Sequence, residues 1–298
     1  MTIKDYKVGI AGCGIVGGAM LKFFNEKLIN VVGYDKYKSE MNDFNAVLDT
    51  DAIFLCLPTQ YNEINKNYDY TAIHDVMSNL KANDYQGLVV FKSTVTPGIT
   101  VELHEKYGLD ICYYPEFLSA LTAYEDFVEQ PHIILGVINH VKDMKLSEKY
   151  LSLIEFFKLY FPKSKLSIAS TTEAESAKLF CNNFYSVKIG IFNEFYDVCK
   201  KNNVDYNNVV SLMLNNNWIN PMHTMVPGPD KSFGFGGLCF IKDTNSLNDY
   251  MIRNNISNSI INSTIVENKS RRNLNDENIN CIGKETNLMD NIAKYFNY

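Results

Sequence analysis

The sequence predicts an α/β chain in two parts: a doubly wound, mostly parallel sheet, then an all-helical domain built on one long helix. Three observations carry this reading. A glycine-rich turn, Gly12-Cys13-Gly14-Ile15-Val16-Gly17, sits between a short apolar run and a helical pattern. Short apolar runs then recur at the spacing of βα units. From about Thr171 the alternation gives way to one long stretch of helical periodicity. The boundary is expected between the two parts at 168/169, giving domains 1–168 and 169–298.

At 298 residues the chain is long for a single core, which agrees with two domains. A hydrophobic share of 46% and a charged share of 21% are those of a soluble globular protein. The net charge of −6 and the lack of a basic stripe argue against a nucleic-acid partner. The one tight basic cluster, Lys269 to Arg272, reads as a solvated helix end. Seven cysteines form no CxxC pair and no Cys/His metal-ligand spacing, so reduced thiols in a cytoplasm are expected and no metal site is. No apolar run approaches the roughly 18 residues of a membrane span, and no membrane partner is expected. Val8 to Leu21 has the apolar look of a signal-peptide core, but its glycine spacing has a better explanation.

Lys7–Ala11 reads as a short buried strand, and Ala19, Met20, Phe23 and Phe24 mark the helix after the turn. Strand, GxGxxG and helix together form the Rossmann dinucleotide arrangement. Its glycines allow a tight turn, close approach of a pyrophosphate and close helix packing. The helix start offers unpaired N–H groups to phosphates. A second apolar strand, Val31–Tyr34, ends at Asp35, where an acid accepts ribose hydroxyls and repels a 2′-phosphate. NAD is therefore expected over NADP.

Ala52–Leu57 reads as a strand buried on both faces, ending at Pro58-Thr59, where cofactor sits in such sheets. Leu88–Phe91 is the next strand, followed by Lys92-Ser93-Thr94-Val95-Thr96-Pro97-Gly98. The hydroxyls of Ser93 and Thr94 are placed to contact ribose or hold a water. Thr96-Pro97 reads as an N-cap with proline opening a helix. Asp110–Tyr113 leads into Tyr114-Pro115-Glu116-Phe117-Leu118. His132–Val137 makes a sixth strand, and Lys145–Tyr160 an amphipathic helix.

Thr171-Thr172-Glu173 has the form of a helix start, and the long helix is expected to run to about Lys200. Glu175, Lys178 and Asn182 share one face of it. A short helix at Asn207–Leu214 and a loop at Asn215–Ser232 follow. That loop delivers Phe233–Asp243, read as a glycine-rich loop holding Cys239 beside Lys242 and Asp243. A thiol next to a cation and a carboxylate sits where a nucleophile can be activated. The tract Asn254–Lys284 reads as a polar tail, with a helix-like piece at Leu288–Phe296.

In order, GIAGCGIVGG, Asp35 after a strand, LCLPT, KSTVTPG, PEFL with a following TAYEDF, ESAKLFCNNF and GFGGLCFIKD resemble the UDP-glucose/GDP-mannose dehydrogenase family. The blocks cover nearly all of residues 3 to 250. The resemblance implies oxidation of the C6 alcohol of a nucleotide sugar to a carboxylate with two NAD. It makes Cys239 the nucleophile of a thiohemiacetal and then a thioester. Lys178 and Asn182 would hold the oxyanion, and Glu116 would serve as acid/base in thioester hydrolysis. Asp243 would position the thiol or a water, with Thr94 acting through that water. Gly12, Gly14, Ile15, Val16, Gly17, Asp35, Pro58, Thr59, Ser93, Thr94 and Lys242 would line the cofactor. Glu116, Phe117, Leu118, Lys178, Asn182, Phe233 and Gly236 would grip the substrate.

Four departures accompany the resemblance, one being that no Arg stands near Trp218, where many members have one that recognises substrate from the neighbouring subunit. Ala120 stands where the family has a second carboxylate, and Ile241 where it has a proline before Lys-Asp. The chain is also short for a member, and is expected to be a form without the family's third, nucleotide-enclosing domain. Two other readings stay open: a two-electron dehydrogenase of the hydroxyisobutyrate or phosphogluconate kind, and a binding protein without turnover. A homodimer through the long helix is expected.

Overall fold

A computed structural model describes residues 5–138 and 145–272. The chain divides into two compact units, Met1–Cys181 and Asn182–Tyr298. The division falls inside one helix, and the expected boundary at 168/169 lies within a strand.

The elements of the first unit run β1 (Val8–Ala11), α1 (Ile15–Glu26), β2 (Val31–Tyr34) and β3 (Ala52–Leu55). A small hairpin of β4 (Tyr61–Asn62) and β5 (Asn67–Tyr68) follows. Then come α2 (Thr71–Ala82), β6 (Leu88–Phe91), α3 (Ile99–Tyr107), β7 (Ile111–Tyr113), α4 (Ala123–Val128), β8 (His132–Val137), α5 (Glu148–Tyr160) and β9 (Lys165–Ser170). Helix α6 (Thr171–Lys201) begins in this unit and ends in the second.

Seven strands form one sheet in the order β2-β1-β3-β6-β7-β8-β9. All neighbours pair in parallel except β7 and β8. The sequence explains why β1, β3 and β6 are central. VGIA, AIFL and LVVF are apolar throughout, and every residue of the three is buried. Pleating sends alternate side chains to opposite faces, so Phe54 enters one core while Ile53 and Leu55 enter the other. Helices α1 and α5 close the first face with Met20, Phe24, Phe156 and Phe157. Helices α2 and α3 close the second with Met77, Leu80 and Leu103. Each such buried side chain contributes on the order of 1.5–3 kcal/mol. Helices on both faces make the sheet doubly wound, as the sequence predicts.

Four local differences have physical causes. Strand β9 was not foreseen: its sequence, KLSIAS, has only Leu166 and Ile168 to pack on the core, because it lies at the edge. Helix α5 starts at Glu148, with Ser147 as N-cap, rather than at Lys145. Pro97 does not open α3. The helix starts at Ile99 after Gly98 in the left-handed region, and its first N–H groups are capped by a distant carboxylate, Glu175. Glu175, Lys178 and Asn182 are all buried, so the face they share is not a solvated one.

The second unit holds the rest of α6, then α7 (Tyr206–Leu214), α8 (Gly237–Arg253) and α9 (Ser259–Arg272). Its core is built on Phe192, Cys199, Tyr206, Val210 and Val226. Three expectations are corrected here. The stretch at 233–243 is not all loop, since α8 begins at Gly237 and carries Cys239 in its first turn. Residues 259–272, read as part of a polar tail, form α9. Its basic end is not solvated: Arg271 pairs with Asp197 and Glu267, and Arg272 with Asp230, both guanidinium side chains being mostly covered. The piece at Leu288–Phe296 lies outside the described residues.

Candidate active site

The strand order reverses direction between β1 and β3, since β2 lies on one side of β1 and β3 on the other. Ligands of open α/β sheets bind beyond the carboxyl ends of the strands at such a point. The glycine turn lies there. Gly12 has φ +89°, and a Cβ on it would come 2.5 Å from the Cys56 carbonyl oxygen, so only glycine fits. A Cβ on Gly17 would overlap the Gly12 carbonyl oxygen, whereas Gly14 faces open space. Ile15 and Val16 open α1, whose N-cap Gly14 makes no side-chain cap and whose first turn holds no acid. Its leading N–H groups are therefore available to an anion.

Asp35, directly after β2, accepts hydrogen bonds from the Cys13 and Tyr37 N–H groups, both at 3.0 Å. The acid is thereby held against the glycine turn. Lys38 donates to the Cys13 carbonyl at 2.8 Å. Across the switch point, Thr59 donates to the Thr94 carbonyl at 2.8 Å, and Ser93 to the Leu57 carbonyl at 2.6 Å. These two bonds tie the Pro58-Thr59 turn to the Ser93-Thr94 turn, giving the hydroxyls a structural task in addition to the expected one. An open space at Gly14, an uncapped helix start and a fixed acid after β2 fit a dinucleotide.

A second group of residues lies in the same unit. Lys178 on α6 is 3.3 Å from Glu116 Oε1, and its ammonium stands 5.0 Å from the centre of the Phe117 ring. The other carboxylate oxygen of Glu116 accepts from the Leu118 N–H at 2.8 Å, which fixes the carboxylate at the turn after β7. Phe117 is half exposed, while Leu118 packs partly on the core. Glu175, one turn before Lys178, is fully buried. It accepts from the Gly98 and Thr100 N–H groups and the Thr100 hydroxyl at 2.6–2.8 Å. Burial pushes its carboxyl up to about 7, against the pull of these bonds.

The second unit places Asn182, Cys239, Lys242 and Asp243 together. Asp243 is fully buried. Its Oδ2 accepts from Asn182 Nδ2 at 2.6 Å and its Oδ1 pairs with the Lys242 ammonium at 2.6 Å. Asn183 holds the Asp243 carbonyl at 3.2 Å. Cys239 is exposed, three residues into α8, with Gly236 as N-cap and no acid in the first turn. Backbone dipoles there favour an anionic sulfur.

The glycine run before Cys239 is held by residues that sequence reasoning passed over. Asn268 on α9 brackets Phe235, accepting from its N–H at 2.7 Å and donating to its carbonyl at 3.0 Å. Asn193 accepts from the Gly234 N–H at 3.0 Å. A Cβ on Gly236 would come within 2.5 Å of the Arg272 guanidinium, so that glycine makes room for an arginine. Phe233 packs against Tyr196 with the rings tilted and their centres 5.4 Å apart. An asparagine on an otherwise apolar helix face is the signal that could have pointed to Asn193. Lys92 was also passed over, although it stands beside the Ser93 and Thr94 that were weighed. Among the described residues, no cluster of His, Cys, Asp or Glu could hold a metal ion.

The glycine turn at the switch point, with its acid, defines a dinucleotide-binding domain joined to a helical unit that presents a cysteine. Residues 36–154 match the NAD binding domain of the UDP-glucose/GDP-mannose dehydrogenase family, and residues 172–270 match its central domain. The chain belongs to that family, and the cofactor of its first domain is NAD. It is 29% identical over 255 residues to the UDP-glucose 6-dehydrogenase of Campylobacter jejuni, a match over 83% of this chain and 61% of that protein. The chain thus spans about three fifths of that relative's length. A solved UDP-glucose dehydrogenase from Pyrobaculum islandicum superposes with a TM-score of 0.75 at 21% identity, over 89% of this chain and 68% of that one. The 3-hydroxyisobutyrate dehydrogenase of Mycobacterium tuberculosis gives 0.67 at 15% identity, over 87% and 91%. At these identities the two structures speak for the fold alone.

Proposed function

We propose that the protein is an NAD-dependent nucleotide-sugar 6-dehydrogenase, oxidising a C6 alcohol to a carboxylate, with UDP-glucose as the first substrate to test. The observation that carries this reading is the set on α6 and α8: an exposed Cys239 in a helix first turn, with Asn182 and Lys242 both fixed on a fully buried Asp243.

The roles follow from the chemistry. NAD, when bound, supplies the acceptor for two hydrides, one per oxidation. The alcohol first loses a hydride and a proton to give an aldehyde. An aldehyde has no second hydride to give until its carbon becomes tetrahedral. Cys239 sulfur adds to that carbon, and the oxygen takes up a proton to form a thiohemiacetal. Loss of the second hydride from carbon and of the proton from oxygen leaves a thioester. Water then breaks the C–S bond, restoring the thiol. The sum is one alcohol, one water and two NAD giving a carboxylate, two NADH and three protons. Lys178 and Asn182 are donors for the oxyanion that forms at each stage. Glu116 accepts the proton of the attacking water. Asp243 keeps Asn182 and Lys242 oriented, and Thr94 holds a water. Gly236, Phe233, Phe117 and Leu118 hold the sugar and diphosphate.

Incubation with UDP-glucose, UDP-N-acetylmannosamine and GDP-mannose should yield about two NADH per sugar with one of them. The Cys239→Ser variant should lose at least 10³-fold in acid formation, since a serine hydroxyl, un-ionised at neutral pH, is a far poorer nucleophile than a thiolate. Absence of NADH with all three would defeat the proposal. A second reading is a two-electron oxidation needing no thiol, which would use the Lys178 and Asn182 donors on α6 alone. Undiminished turnover by Cys239→Ala would select it.

A further inference from the structure

Among the described residues of the first unit, the ammonium groups of Lys92 and Lys178 are buried. Lys92, directly after β6, is 2% exposed, and its Nζ stands 3.4 Å from the centre of the Tyr114 ring. Tyr114, directly after β7, is itself buried and donates its hydroxyl to Gln130 at 2.6 Å, so the ring is a fixed platform. Lys178 on α6 is 4% exposed and pairs with Glu116. The groups that act on the charge of Lys92 are Cys56 after β3 and Glu116 after β7, which favour it, and Lys178, which opposes it. Burial pushes the Cys56 thiol up to about 12, so it stays neutral at working pH. Among the described residues, no carboxylate forms an ion pair with Lys92.

An ammonium taken out of water costs free energy that one aromatic face only partly returns. A methionine would fill the same space over Tyr114 without that cost. An ammonium kept at this buried position therefore has a reason in chemistry rather than in folding. The proposed oxidation supplies one, because an oxyanion develops at each of its stages.

We propose that Lys92 is a positioning residue of the oxidation: fixed on the Tyr114 ring, its ammonium adds to that of Lys178 the positive charge that stabilises the reacting oxyanion beside Glu116. It acts through Lys178 and Glu116 and touches no substrate atom. This inference rests on the dehydrogenase reading. Burial lowers Lys92 from 10.5 to about 8, so its charge is present below that pH and is lost above it.

The test compares the wild-type chain with Lys92→Arg, which keeps the charge at every pH, and Lys92→Met, which removes it. In wild type carrying ¹³C-labelled lysine, one Cε resonance should titrate near pH 8 and be missing from Lys92→Arg. With the nucleotide sugar that the wild type oxidises, kcat should fall as pH rises above about 8. Lys92→Arg should stay within threefold of wild type at pH 7 and hold its rate to pH 9.5. Lys92→Met should be at least tenfold slower at pH 7 and converge on wild type as pH rises above about 8, with an unchanged Kd for NAD and a melting temperature no lower than wild type. A purely structural lysine would lower the melting temperature and leave the pH profile alone. A lysine titrating at its ordinary value, or Lys92→Met turning over like wild type, would overturn the role of Lys92 and spare the dehydrogenase reading. A wild type that oxidises none of the three nucleotide sugars would overturn both.

Discussion

Glu175 joins the start of α6 to the start of α3 through three accepted hydrogen bonds. Glutamine at this position would turn an amide NH₂ toward one of two N–H donors. Glu175→Gln should therefore cost about 1–3 kcal/mol in urea unfolding. The carboxyl also has a pH signature. Its folded value of about 7 lies above the ordinary 4.5, so between those values the folded state holds a proton that the unfolded chain has released. Stability from this group is fully present below about 4.5 and is lost as pH rises through about 7. Between pH 4.5 and 8 the wild type should lose up to roughly 3 kcal/mol more than Glu175→Gln. Equal losses in the two proteins would show that Glu175 does not titrate in this range.

At the scale of elements, the position of Cys239 depends on α9 as well as on its own helix. Asn268 and Arg272 pin the run Gly234–Gly236 from the side, and α8 starts at the residue after it. Asn268→Ala leaves the Phe235 N–H and carbonyl without their partner, at about 1–3 kcal/mol for each group left unsatisfied. Gly236→Ala forces a methyl against the Arg272 guanidinium. Both variants should lower the melting temperature and speed alkylation of Cys239 by iodoacetamide, because the first turn of α8 loses its anchor. An unchanged alkylation rate in both would separate α9 from the cysteine. Little in the sequence marks α9: its fourteen residues are mostly polar, and Asn268 is the one that is buried. A helix fixed by hydrogen bonds and ion pairs leaves no apolar stripe to read.

For the molecule as a whole, α6 shows an apolar stripe to solvent. In the second unit, Phe184, Ile191, Phe195 and Val198 are each exposed and recur at helical spacing. Large exposed apolar patches mark association surfaces, and a symmetric pair of such helices is the simplest way to cover one. We propose a homodimer through this face. Light scattering after size exclusion should give twice the chain mass, and Phe184→Asp with Phe195→Asp should give the single mass. A wild-type monomer at micromolar concentration would defeat the proposal. Among the described residues, no helix is long and apolar enough to cross a membrane.

Where a local pattern fully specifies a backbone, the sequence was enough. The glycine turn, Asp35, the fully buried runs of β1, β3 and β6, and the start of α6 were all legible, because period and glycine geometry are properties of neighbouring residues. The residues of the family's motifs, from Glu116 to Asp243, could be named in the same way. Tertiary structure decided what those residues touch. Glu175 caps α3 from a distance of 75 positions in sequence, Asn182 reaches Asp243 across 61, and Asn268 reaches Phe235 across 33. No local pattern encodes such pairings, since any buried polar group seeks a partner and only the folded chain determines which one it meets. For the same reason Lys92 looks in sequence like any lysine at a strand end. Only the fold buries it and sets its ammonium over the Tyr114 ring.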